Sequence, residues 1–267
     1  MRKFLGRTSA LLGVITIFSK AVLSEVSNPE RKPISAHWQV IASSNVIVRA
    51  KVSNKTIIPF ETLKGIRVQR IELENSEGME RIPPSENNEV IVFLVRIHND
   101  RTNGYYLTES SPPSILPSSE MQLQLIRKEI LNQEVINDNF SELSVAKPDK
   151  FDKEVKQLLN KLVDSETQDE SWTKLVNLGS DAAPAFIRCM DDKRKIAPAD
   201  YSSSSRTRKS AYDDHFHYSP QVVQDAVSIL LNQSTRTGFY TTINGGTAEE
   251  RKLDLAGWRV WLYYGQK

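Results

Sequence analysis

The spacing of apolar residues changes partway along this chain of 267 residues, and that change constrains the fold more than any other feature. Up to about residue 117, apolar side chains alternate with polar ones or form short continuous runs, as strands require. From Ser119 onward they recur mainly every three or four residues, as on one face of a helix. The sequence therefore predicts an α+β fold, in which a small antiparallel, barrel-like β domain precedes an α-helical domain.

Four segments of the first half carry strand patterns, and a short helix over residues 36–43 is predicted before them. The segments are Asn45–Val52, Gly65–Leu73, Glu89–Ile97 and, as the weakest, Tyr105–Thr108. The third is the clearest, because six apolar residues run without interruption from Val90 to Val95. A run of that length bounded by turn residues is typical of a buried strand.

A closing helix is predicted after the strands. Ser119 and Gln122 are placed as a capping box for a helix that ends near Asn137. The alternation of Met121, Leu123 and Leu125 leaves a strand open as the alternative at its start. We therefore expect a β-rich domain over residues 36–137, a linker over residues 138–149 and a helical domain over residues 150–267.

Helical periodicity is plainest at residues 151–163, where six apolar residues fall on one face. Two further helices are predicted at Trp172–Leu178 and Pro184–Met190. A fourth is predicted to start with Ser219 as N-cap and Pro220 in the first helical position. A last helix is predicted after a capping box of Thr247 and Glu250. Residues 191–218 lie between the third and fourth of these segments and are predicted to form a long polar loop.

The first 24 residues have the order of a secretory signal peptide. Basic residues come first, an apolar run from Ala10 to Phe18 follows, and small residues recur from Ser19 to Ser24. The apolar run is shorter than the about 20 residues that span a bilayer. We therefore expect an exported protein, periplasmic or secreted, whose mature chain has no transmembrane segment.

Removing the predicted signal peptide changes the charge balance. The loss of its four cations lowers the formal net charge from +2 to −2; they are Arg2, Lys3, Arg7 and Lys20. A nearly neutral chain argues against a broad nucleic-acid surface. Cys189 is the single cysteine, so the chain cannot form an internal disulfide and must rely on packed apolar cores.

Two parts of the chain resemble known structural families. Leu175–Ile187, which reads LVNLGSDAAPAFI, resembles the core of a HEAT-like helical repeat, with a leucine-rich helix, a glycine turn, and alanine and proline opening the next helix. Residues 45–52 and Leu63-Lys64-Gly65 resemble netrin-like, OB-type barrels. Tissue inhibitors of metalloproteases use such a barrel, although they depend on disulfides and an N-terminal cysteine that this chain lacks. Residues 232–259 are similar to a segment of uncharacterised exported bacterial proteins.

One cluster in the polar loop has the residue types of a metal site. Asp213, Asp214, His215 and His217 offer two carboxylates and two imidazoles, which suit zinc or another divalent ion. The alternative is a solvated connection with the neighbouring aromatic residues against helices. Two Ser-x-x-Lys matches, Ser171–Lys174 and Ser144–Lys147, lack the other motifs of serine acyltransferases.

Three functional hypotheses follow from these patterns. The leading one is a non-enzymatic, exported protein-binding or assembly module with an unidentified protein partner and no cofactor, because HEAT-like surfaces usually bind proteins. The second is an exported hydrolase or metal-dependent enzyme built on residues 191–218. The third is a protease inhibitor that acts through the β domain.

Overall fold

The computed structural model describes residues 32–53, 56–71, 89–98, 103–108, 114–196, 220–239 and 246–265. These residues form a mixed α+β structure, as predicted. The strands are β1 (Val46–Ser53), β2 (Thr56–Lys64), β3 (Glu89–His98), β4 (Asn103–Leu107) and β5 (Ile115–Pro117). The helices are α1 (Trp38–Ser43), α2 (Glu120–Asp138), α3 (Asp152–Leu162), α4 (Gln168–Leu178), α5 (Ala183–Arg188), α6 (Val223–Thr235) and α7 (Ala248–Tyr264).

The strands form one antiparallel sheet in the order β2-β1-β3-β4, and β5 pairs with β3 beside β4. β3 lies at the centre because its run of apolar residues has no polar face to present to water. Among the described residues β2 pairs with β1 alone of the named strands, so the sheet is open at that edge. The barrel-like form predicted from the sequence is therefore not confirmed.

Both faces of the sheet are buried. One face carries Val48, Val92 and Leu94 in a first apolar cluster. The other face, with Ile47, Ile91 and Phe93, packs against α1 and α2 in a second cluster. α2 begins as predicted, with the Ser119 hydroxyl accepting from the Gln122 backbone N–H, so the strand alternative for its start is wrong.

The predicted strand Gly65–Leu73 is wrong over its described residues. The chain is irregular from Gly65 to Arg70, and only Ile71 pairs, in a single bridge to Ile57. Gly65 has φ +82°, and a Cβ there would lie 2.1 Å from the Asn45 carbonyl oxygen. The strand instead precedes this glycine, as β2. β2 contains Pro59, and proline is tolerated on an edge strand.

The helices share a third and larger apolar cluster with the segment that was predicted as a linker. Phe140 and Val145 from two 3₁₀ turns after α2, and Leu143 between these turns, are buried in it. Trp258 of α7 is fully buried at the same core. The domain division at residues 138–149 stays a prediction, but this segment packs as part of the helical core.

The N-terminus of α6 differs from the sequence prediction. The helix begins at Val223, and its capping acceptor is the Asp225 carboxylate, which receives the backbone N–H groups of Gln221 and Val222. Pro220 lies before the helix, while Ser219 lies outside the described residues. The capping box of Thr247 and Glu250 at α7 is confirmed.

The last helix reaches back to the sheet-covering helices. Tyr264, at the end of α7, packs edge-on against Trp38 of α1, with ring centroids 5.2 Å apart. None of the helices in the described part of the chain combines the length and apolarity that a bilayer crossing requires. The predicted signal peptide, residues 1–24, lies outside the described residues.

Candidate functional site

A cleft of about 620 Å³ opens on the helical half of the molecule. One wall is the first part of α3, and the other is the end of α5 with the turn that follows it. The connection between α2 and α3 closes one side with Ala146 and Pro148. Leu159, almost fully buried, lies at the apolar floor. We call this feature the α3–α5 cleft; its volume is typical of ligand sites in proteins.

Arg188, the last residue of α5, fixes the two walls to each other. Its guanidinium pairs with Asp152, through Nε at 2.8 Å, and with Asp149 at 2.7 Å. It also donates to the Val145 carbonyl at 3.1 Å. With 8% of its side chain exposed, this cation is held by charge-assisted bonds that are stronger than neutral ones.

These contacts set the charges of the pair. Burial by itself would raise the pKa of Asp152, but its hydrogen bonds with Arg188 outweigh this and lower that pKa below its usual range. Burial likewise opposes the charge of Arg188, yet Asp152 and Asp149 raise the pKa of the guanidinium. The ion pair is therefore fixed at neutral pH and gives the cleft a rigid wall.

Cys189 lines the cleft next to Arg188 and is half-buried. Burial raises the pKa of its thiol, and the nearby Asp152 carboxylate raises it further. The nucleophilic form of cysteine is the thiolate, which a raised pKa suppresses at neutral pH. Burial and the Asp152 charge therefore make Cys189 a poor nucleophile at neutral pH, and its half-buried side chain lines the cleft.

The turn after α5 adds three more charged side chains to the cleft. Asp192 pairs with Arg194, with Nε 3.0 Å from the carboxylate. Asp191 lies near Arg259 of α7, whose pKa is lowered by burial and partly restored by the Asp191 charge. Arg259 itself stacks on Phe140, 4.8 Å from the ring centroid. Two carboxylates of the cleft, Asp152 and Asp192, are thus paired with arginines, whereas Asp191 is exposed.

The two lysines of α3 are the exception to this pairing. Lys153 and Lys156 both line the cleft and are exposed. Within the described ranges neither forms an ion pair. Four cations and three carboxylates line the cleft, and the two lysines are the cations among them that have no ion pair inside the described ranges.

The metal candidates Asp213, Asp214, His215 and His217 lie outside the described residues. Among the residues that are described, no group of three or more His, Cys, Asp or Glu side chains is arranged to hold a metal ion.

Arg188, Asp152 and the two lysines were not singled out by sequence. The only hint was an acidic pair, Asp149 and Asp152, at the start of a strongly amphipathic helix.

The two Ser-x-x-Lys matches do not assemble a nucleophile and base. Ser171 is buried in α4, whereas Lys174 is exposed and its ammonium lies 2.6 Å from Glu170. Ser144 and Lys147 are both exposed, in and just after a 3₁₀ turn. The acyltransferase pattern in these two segments is therefore coincidental in spacing.

A second buried polar centre lies away from the cleft, at Glu129 of α2. Its carboxylate, fully buried, accepts from the Ile34 and Ser35 backbone N–H groups at 2.8 and 3.2 Å, and from Gln133 and Tyr264. Burial raises the pKa of Glu129, while these hydrogen bonds oppose the rise. It holds the N-terminal segment, α2 and α7 together.

No family model, curated protein or solved structure matches the chain.

Proposed function

We propose that this protein is an exported, non-enzymatic binding module that docks a protein partner in the α3–α5 cleft. The observation that carries the proposal is the protonation and ion pairing of the reactive side chains that line the cleft. Its one thiol has a raised pKa, and its buried cation, Arg188, is fully engaged by Asp149 and Asp152. Groups held in this way are poorly suited to proton transfer or covalent catalysis at neutral pH and better suited to shaping a surface.

The resemblances found in the sequence fit this proposal. We propose that the helical half is HEAT-like, a class whose surfaces usually bind proteins. Its support is local: Gly179 turns the chain after α4 with φ +65°, and Pro184 lies in the first turn of α5. The OB- or netrin-like character of the β half is likewise a proposal, resting on sequence resemblance.

The test is capture of a partner by the intact protein, with the cleft open and with it filled. Ala146→Trp places an indole in the cleft, and Ala248→Trp adds the same group at an exposed position at the start of α7. We expect a partner from cell-envelope extract to bind the parent and Ala248→Trp, but not Ala146→Trp. Circular dichroism and thermal unfolding of each variant verify folding.

Two results would contradict the proposal. Equal capture by a folded Ala146→Trp variant would place binding elsewhere on the molecule. Repeated failure to recover any partner with the parent protein, together with a hydrolytic activity that disappears on Ala146→Trp, would favour the enzyme hypothesis instead.

A further inference from the structure

We infer that the α3–α5 cleft recognises an acidic segment of its protein partner, and that Lys153 and Lys156 bind the carboxylates of that segment. This inference rests on the proposed function, which it deepens by naming the chemistry of the partner. It is carried by the position of the two lysines, the pairing of the other charges and the apolar floor of the cleft.

The two lysines are positioned together by helix geometry. They lie three residues apart on α3, so their side chains leave the same face one turn apart. Leu159, three residues further on, continues that line to the floor of the cleft. The opposite side of α3, with Val155, Leu158 and Leu162, is buried in the helical core and holds the helix fixed. An entering side chain therefore passes two ammonium groups before it reaches apolar surface.

The charge balance of the cleft selects for a negative ligand. The carboxylates of Asp152 and Asp192 are engaged by Arg188 and Arg194, and Asp191 is near Arg259. Asp191 is exposed and forms no ion pair inside the described ranges, and the four cations and three carboxylates that line the cleft sum to a formal charge of +1. The ammonium groups of Lys153 and Lys156, with no ion pair inside the described ranges, remain to attract an anion.

The helix itself adds to the preference. Lys153 lies in the first turn of α3, where the partial positive charge of the helix dipole favours an anion. The apolar floor and Ala146 favour an uncharged residue next to each acidic residue of the bound segment. We therefore expect a peptide in which acidic and aliphatic residues alternate, since this combination places carboxylates at the mouth and a hydrocarbon side chain below.

The experiment uses the full chain and three labelled peptides of equal length, measured by fluorescence anisotropy. One alternates glutamate with leucine and alanine, the second replaces each glutamate with glutamine, and the third replaces each with lysine. We expect saturable binding of the glutamate peptide, about tenfold weaker binding of the glutamine peptide, and the weakest binding of the lysine peptide. Added salt should weaken only the first interaction.

The matched variants change the same number of charges inside and outside the cleft. Lys153→Gln/Lys156→Gln removes the two cleft lysines, and Lys161→Gln/Lys174→Gln removes two exposed lysines that do not line it. We expect the first pair to lose about tenfold in affinity for the glutamate peptide and the second pair to match the parent. All four positions are exposed, so both variants should fold.

Several results would overturn the inference. These are equal binding of the glutamate and glutamine peptides, preference for the lysine peptide, no binding of the glutamate peptide by the parent, or unchanged affinity of Lys153→Gln/Lys156→Gln. If partner capture from envelope extract is lost on Ala146→Trp but not on Lys153→Gln/Lys156→Gln, the proposed function stands and the acidic-segment inference fails. If both variants still capture the partner, the proposed function and the acidic-segment inference are both contradicted.

Discussion

The hydroxyl of Tyr264, at the end of α7, donates a hydrogen bond of 3.1 Å to the buried carboxylate of Glu129, halfway along α2. The two residues are separated by 135 positions in the chain. Asn132, one turn after Glu129, donates to the same hydroxyl. This contact joins the helix that covers the sheet to the helix that ends the chain.

Removing this hydroxyl should destabilise the whole fold. In Tyr264→Phe the ring stays in place against Trp38, but the buried carboxylate of Glu129 loses one donor. The carboxylate keeps its other three donors, so the cost is that of one hydrogen bond, about 0.5–3 kcal/mol depending on the charge of the acceptor. We expect a loss in that range by urea denaturation. The matched control is Tyr105→Phe in β4, a partly buried tyrosine outside this network, and an equal loss there would contradict the prediction.

The same carboxylate should make stability depend on pH. Burial raises the pKa of Glu129 in the folded state, so folding favours its protonated form. Its contribution is therefore fully present below the ordinary glutamate pKa of about 4.3 and is lost as the pH rises through the raised folded value. Glu129→Gln keeps the shape and does not titrate. We expect the parent to lose stability relative to Glu129→Gln as the pH rises above about 4.3.

Denaturation curves of both proteins at several pH values measure this difference. The comparison cancels the titration of the other groups, because they are common to the two chains. A difference in unfolding free energy that stays constant over the range would mean that Glu129 has an ordinary pKa in the fold. A difference that grows in favour of the parent would mean that its pKa is lowered.

A buried ion pair between α6 and α7 gives a third prediction. Asp225 is 0% exposed and accepts from Arg251 through Nε at 2.8 Å, while its other oxygen caps the start of α6. Breaking such a pair by removing one partner costs about 3–5 kcal/mol, because the other charge stays buried. We expect Arg251→Met to lose stability on that scale in thermal or urea unfolding. Lys252→Met, at the exposed next residue, should lose little, and comparable losses would contradict this account.

The sequence predicts local features well where one residue type determines them. The capping hydroxyls of Ser119 and Thr247 and the apolar run of β3 needed no knowledge of the rest of the chain. β2 was missed because its edge position depends on pairing with β1. The capping acceptor of α6 was missed because Asp225 is a residue of the helix itself and pairs with Arg251. Such contacts depend on which helices meet.

The candidate site was beyond sequence reasoning for the same reason. Arg188 and Asp152 are 36 positions apart and become neighbours only when α3 and α5 pack together. Lys153 and Lys156 look like any solvated face of an amphipathic helix until the arginines are seen to engage the nearby carboxylates. The metal hypothesis for residues 213–217 stays a prediction, as does the signal peptide.

The cleft thiol should react slowly. Burial, followed by the charge of Asp152, raises the pKa of Cys189, so little thiolate is present at neutral pH. We expect its alkylation by iodoacetamide at pH 7.5 to be slower in the folded protein than in guanidinium chloride, and its rate to rise through a pH above the ordinary cysteine range. Reaction of the folded thiol as fast as the unfolded one would contradict the packing role and reopen covalent chemistry at this position.

Gly257 gives the sharpest test of packing, because the sign of one substitution should depend on a second residue. A Cβ at Gly257 would lie 2.5 Å from Cγ and 2.8 Å from Cβ of Phe239, which itself packs on Trp258. Gly257→Ala should therefore destabilise the parent by about 1–3 kcal/mol through overpacking. In a Phe239→Ala background the space is open, and alanine is about 0.8–1.0 kcal/mol better than glycine in a helix. There the same substitution should stabilise. A double-mutant cycle by urea denaturation measures this reversal, and two independent, additive effects would show that α7 does not pack against Phe239.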